Sequence, residues 1–99
     1  MNSIIDLLKL VKERPAMYIS RNSISCLKAF LDGWYLRDTD GVTDVHIMGE
    51  LQDYTEKKYN ENPVRSWCDI LLYNSGDEGK ALELFFEDFF GFIDDCVSD

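Results

Sequence analysis

Ala81-Leu82-Glu83-Leu84-Phe85-Phe86-Glu87-Asp88-Phe89-Phe90-Gly91-Phe92-Ile93 carries its apolar residues at helical spacing. Leu82, Phe86, Phe89 and Ile93 fall on one face, and Phe85, Phe90 and Phe92 widen that face past what one core stripe needs. The surplus phenylalanine is either a dimer seam or a thick core. Upstream, Asn74-Ser75-Gly76-Asp77-Glu78 is a break, and Ser75 with Glu78 three residues later reads as a capping box. Asp77 stands near the positive end of the same helix, which runs to about Cys96.

The rest of the chain follows the same period. Ser3 and Asp6 form a capping pair for a helix whose inner face is Ile4, Leu7, Leu8 and Val11. It stops near Arg14, because Pro15 disfavours helix in the residue before it. Pro15–Asn22 reads as a connector with Met17, Tyr18 and Ile19 tucked into the core. A helix from Ser23 to about Arg37 buries Ile24, Leu27, Leu31 and Trp34, widened by Phe30 and Tyr35. Gly33 inside it admits a close backbone neighbour or is simply tolerated. Asp38-Thr39-Asp40-Gly41 is a turn. The next helix begins near Thr43 with Ile47, Leu51 and Tyr54 on one face; Val45–Met48 also has the look of a short strand, but Glu50–Tyr59 is rich in helix formers. Asn62-Pro63 serves as N-cap and first helical residue of a segment burying Val64, Trp67, Cys68, Leu71 and Leu72. These segments predict an all-α fold, a compact single-domain bundle of about five helices spanning residues 1–99.

At 99 residues and 45% hydrophobic, the chain has enough apolar side chains for one core and not for two. No apolar run reaches the roughly 18 residues of a membrane span. The amino terminus lacks the basic opening and cleavage site of a secretory signal, and Cys26, Cys68 and Cys96 are odd in number and without a CxxC, so a cytoplasmic protein with reduced thiols is expected. The charge is lopsided. Nineteen acids oppose ten bases for a net −9, yet residues 1–37 carry six bases against three acids and residues 38–99 four against sixteen. A phosphate backbone is repelled by most of such a surface, which argues against direct nucleic-acid binding. A basic protein is steered toward the second half instead.

Constellations for catalysis are thin. His46, the single histidine, shares a helix face with Glu50 and lies near Asp44, but no further His or paired Cys completes a metal set. The cysteines occupy apolar periodic positions, and no GxSxG is present. Glu87–Asp88 and Asp94–Asp95 are adjacent, so on a helix they diverge by about 100° rather than converge on a substrate. No cofactor and no metal is expected. The acids of the last helix, Glu83, Glu87, Asp94 and Asp95, read as a solvated or partner-facing surface.

Two resemblances are carried by quoted residues. Arg14-Pro15-Ala16-Met17-Tyr18-Ile19-Ser20 resembles the RPGMYIG stretch of type II topoisomerase ATPase subunits, with Ala16 and Ser20 at the glycine positions. The Asp-x-Gly-x-Gly element and Gly-rich lid of that fold are missing and the chain is too short for it, so the string marks a local turn solution rather than an ATPase. Glu13-Arg14-Pro15-x-Met17-Tyr18-Ile19, Ser23-Ile24-x-x-Leu27-x-x-Phe30-Leu31-x-Gly33-Trp34, Ser66-Trp67-x-x-Ile70-Leu71 and Glu78-x-x-Ala81-Leu82-x-Leu84-Phe85-Phe86 together resemble small bacterial immunity proteins of polymorphic-toxin and contact-dependent growth inhibition systems. The resemblance implies a cytoplasmic binding protein and not an enzyme. Its partner would be a cognate protein toxin, a basic nuclease domain, neutralised by stoichiometric blockade of substrate access. On that reading the candidate partner-binding residues are Asp53, Glu56, Tyr59, Glu83, Glu87, Asp88, Asp94 and Asp95. The alternative expectation is a small adaptor or regulator that holds a partner helix, or forms a homodimer, through the Phe-rich last helix.

Overall fold

The computed structural model describes residues 2–60 and 65–97. Among them lie six helices and no strand: α1 (Ile4–Glu13), α2 (Pro15–Ile19), α3 (Ile24–Leu36), α4 (His46–Lys58), α5 (Trp67–Ser75) and α6 (Glu78–Val97). The all-α single-domain reading holds, with one helix more than the spacing predicts. Asn62, Pro63 and Val64, read as the start of the fourth predicted helix, lie outside the described residues. Ser66 serves α5 as N-cap, accepting from the Asp69 N–H at 3.3 Å.

α6 is the axis of the bundle, packed by α3, α4 and α5. Leu82, Phe85, Phe86, Phe89 and Ile93 are buried, and Phe90 and Phe92 are half-buried against the same core. Phe85 is fully enclosed: its ring centroid lies 4.9 Å from that of Trp67 and 5.5 Å from those of Phe86 and Phe89. The surplus phenylalanine is therefore a thick core. Offset and edge-on contacts of this kind add to simple area burial.

The additional helix comes from Pro15. Arg14 leaves the helical region (φ −142°, ψ 71°), which proline disfavours for the residue before it, and this ends α1. Proline's fixed φ then suits it to open a new helix, so Pro15 begins the single turn of α2. The turn buries Ile19, half-buries Tyr18 over Phe30 and leaves Met17 66% exposed, so the expectation that all three enter the core is corrected at Met17. α2 ends at Ser20 with φ 72° and ψ −41°, where the Arg21 N–H donates to the Ile19 carbonyl at 2.8 Å. This is a γ-turn of the strained hand, which an L side chain rarely adopts. Glycine would take this conformation without strain.

Helix α4 starts at His46 rather than Thr43, and Val45–Met48 is helical or turn, not strand. A Cβ built on Gly33 meets nothing within 4 Å, so among the described residues none makes use of its missing side chain.

Two helix starts are closed by carboxylates from far along the sequence. At α1, Ser3 accepts from the Asp6 N–H as the spacing predicts, and Asp44 adds three bonds. Its carboxylate accepts from Ile4 N–H at 2.7 Å, Ile5 N–H at 3.0 Å and Ser3 Oγ at 2.9 Å. At α3, Glu78 accepts from Ser23 Oγ at 2.7 Å, Ser25 N–H at 3.0 Å and Ser25 Oγ at 2.8 Å. The capping box expected between Ser75 and Glu78 is not formed. Ser75 is the last residue of α5, Gly76 closes that helix in the left-handed region (φ 73°), and Asp77 caps α6 by accepting from the Lys80 N–H at 2.9 Å.

Both remote carboxylates titrate below their ordinary values. Burial works against ionisation of Asp44, but the N–H groups of Ile4 and Ile5 and the Ser3 hydroxyl outweigh it. For Glu78 the Ser25 N–H and the two serine hydroxyls lower the pKa against a small burial effect. A depressed folded pKa gives stability above the ordinary values, 3.8 and 4.5, that is lost as pH falls through the folded ones. Asp44→Ala is expected to cost about 2 kcal/mol near neutrality, from the lost charged cap. That gap should close as pH is lowered from about 5 to about 2, measured as urea midpoints of both proteins at each pH. A gap that stays constant to the acid end contradicts the assignment.

Candidate partner-binding surface

The eight candidate contact residues do not form one patch. Asp53 is exposed on the outer side of α4, and Glu83 and Glu87 are exposed on α6, lining a shallow depression with Lys80 and Leu84. Glu83 also borders a cleft with Lys12, and Asp94 lines a depression with Lys9, Lys12 and Glu13 of α1. The basic first part of the chain thus lies beside one flank of the acidic helix, with the Lys12 ammonium 4.8 Å from the centre of the Phe90 ring. The other flank, toward α4, has Glu87 close enough to act electrostatically on Lys58 and Tyr59. The side chain of Asp95 lies outside the described residues.

Asp88, Tyr59 and Glu56 are engaged within the fold. Asp88 is only 4% exposed. Its carboxylate accepts from Lys58 Nζ, and from the Tyr59 hydroxyl at 2.7 Å, so it faces the α4–α6 seam and not solvent. Tyr59 is half-buried through the same contact. Burial and its bond to Asp88 raise the Tyr59 pKa above the usual tyrosine range, and the Asp88 bond, partly opposed by burial, raises that of Lys58. Glu56 is half-buried and accepts from Gln52 Nε2 at 3.1 Å. Gln52 in turn joins α4 to α5, donating to the Arg65 carbonyl at 2.8 Å and accepting from the Trp67 N–H at 2.6 Å.

A signal for Asp88 is present in the sequence. It lies four residues from both Leu84 and Phe92, on the edge of the apolar face, where a carboxylate needs a partner once the helix is packed. Reading it with Glu87 as one acidic pair hid that. Glu50, absent from the candidate residues, is exposed and one turn from Tyr54.

Of the side chains considered for chemistry, Asp44 and Cys68 are held within the fold. Asp44, the neighbour of His46, is turned to α1, while His46 is exposed at the start of α4. Burial, with Asp69 and Glu78 nearby, pushes the Cys68 thiol up to about 11, which suppresses the reactive thiolate. Among the described residues no group of three or more His, Cys, Asp or Glu side chains is placed to hold a metal ion, and no helix is long and apolar enough to cross a membrane.

Comparison of the chain with protein-family profiles, with curated proteins and with solved structures gave no match.

Proposed function

We propose that this protein is a stoichiometric inhibitor of a basic protein partner, in the manner of the immunity proteins its sequence resembles, with a nuclease toxin domain as the partner class. The observation that carries the reading is the exposed acidity of α4 and α6, in which Glu50, Asp53, Glu83 and Glu87 project from helices anchored in the aromatic core. Carboxylates on a rigid helical scaffold present fixed negative charge where a phosphate-binding cleft expects its substrate, and they do so without paying much ordering entropy. A net charge of −9 extends that attraction to the encounter. The partner is bound in the cytoplasm of the producing cell, and no reaction is catalysed. The adaptor alternative would have less of α6 to use, because Phe85, Phe86 and Phe89 are buried.

The test is capture of partners from the native organism on the intact protein at about 0.1 M and then about 0.5 M salt, where screening shortens from about 10 Å to a few ångströms. The expected result is a basic domain held at low salt and weakened at high salt, whose nuclease activity falls to zero at one equivalent of this protein. Charge reversal at Glu83 and Glu87 should slow that association and flatten its salt dependence. Recovery of neutral partners alone, at both salt concentrations, overturns the reading.

A further inference from the structure

Between α4 and α6 runs an open groove of about 340 Å3 lined by Glu50, Asp53, Tyr54, Lys57 and Phe92. Its floor is aromatic: the rings of Tyr54 and Phe92 lie 5.2 Å apart, tilted by 36°, and both side chains are half-buried. Glu50 and Asp53 are exposed at its edge, and among the described residues neither accepts a hydrogen bond or forms an ion pair. Two carboxylates therefore stand against the single ammonium of Lys57. The faces of aromatic rings attract cations, and carboxylates beside them add direct charge. A planar, weakly hydrated guanidinium suits such a place better than a compact ammonium, because it stacks on a ring while its edge donates to a carboxylate.

We propose that this groove receives an arginine side chain of a basic partner protein, its guanidinium stacked on Tyr54 and Phe92 and edged by Glu50 and Asp53. The proposal rests on the inhibitor reading only in taking the partner to be a basic protein. The primary test uses N-acetyl-arginine-amide, titrated into the isotopically labelled full chain and followed by NMR. The expected result is saturable shifts at the Tyr54 and Phe92 rings, much smaller with the uncharged citrulline analogue and lost in the double variant Glu50→Gln, Asp53→Asn. Shifts spread evenly over every exposed acid, or unchanged in the double variant, overturn it.

A second measurement uses the basic partner recovered by capture. The double variant should bind it about tenfold more weakly, the sum of a cation–π contact and an exposed ion pair. A captured partner that binds the double variant as it binds wild type defeats the groove while the inhibitor function stands. Localised arginine binding with no basic partner captured supports the groove and defeats the function.

Discussion

Phe85→Ala should remove about 4 kcal/mol of folding free energy, the cost of deleting a buried aromatic ring and leaving a cavity that its neighbours only partly fill. Phe85 is fully buried against Trp67, Phe86 and Phe89, and the ring lies where α5 meets α6. Collapse into the space is limited because those three rings are themselves fixed by the core. A domain of this size has about 5–15 kcal/mol in all, so the variant should be only marginally folded at 37 °C. Its Tm should fall by about 20 °C, read by calorimetry or circular dichroism. Phe85→Leu keeps most of the volume and should lose well under half as much. A loss below about 1 kcal/mol for the alanine variant means that the site is not enclosed as described.

Asp88→Lys is expected to be nearly as damaging, at about 4 kcal/mol, whereas Glu87→Lys next to it should change stability by less than about 0.5 kcal/mol. The side chain of Asp88 is 3% exposed, and the groups bonded to it, Lys58 and Tyr59, are both donors. A lysine there sets two ammonium groups together in the α4–α6 seam and leaves the tyrosine hydroxyl without its acceptor. Lys58→Met should be milder, about 2 kcal/mol, because 44% of the lysine side chain already meets solvent and water can reach the uncovered carboxylate. Urea unfolding of the four proteins at neutral pH measures this ordering. Any account of partner binding that reverses Glu87 and Asp88 together confuses an unfolding with a lost contact.

The same triad contributes on the alkaline side. Both raised groups, Lys58 and Tyr59, give stability that is complete below their ordinary values of 10.5 and 10.0 and is lost as pH rises beyond them. The caps at Asp44 and Glu78 act at the acid end, whereas Lys28 and the Cys68 thiol, also raised, add to the triad at the alkaline end.

What the sequence discloses follows from distance along the chain. Leu82, Phe86, Phe89 and Ile93 announce their face because a helix repeats every 3.6 residues, and Ser3 and Ser23 announce helix starts because a cap acts within one turn. Glu78 misleads for the same reason: three residues after Ser75 it has the spacing of a capping box, but its partners are Ser23 and Ser25. Local spacing carries no trace of a hydrogen bond across 53 residues. The division of acids between a seam, a bridge to Gln52 and open solvent is likewise a product of packing, which turns Asp88 inward and Glu87 outward although they are neighbours. Even the α2 turn was half-legible, since Pro15 marks the end of one helix and equally suits the start of the next.

The remote caps also bear on the order in which the molecule is made. Asp44 lies 40 residues beyond the Ile4 amide it accepts from, and Glu78 lies 53 beyond that of Ser25. At about 5–20 residues per second, α1 is synthesised some seconds before its acceptor exists. Until then the first turn of α1 has Ser3 and water for company, and a short helix so placed flickers rather than persists. The two halves of the chain become one body only when the acidic half arrives to seal the starts of the helices that preceded it.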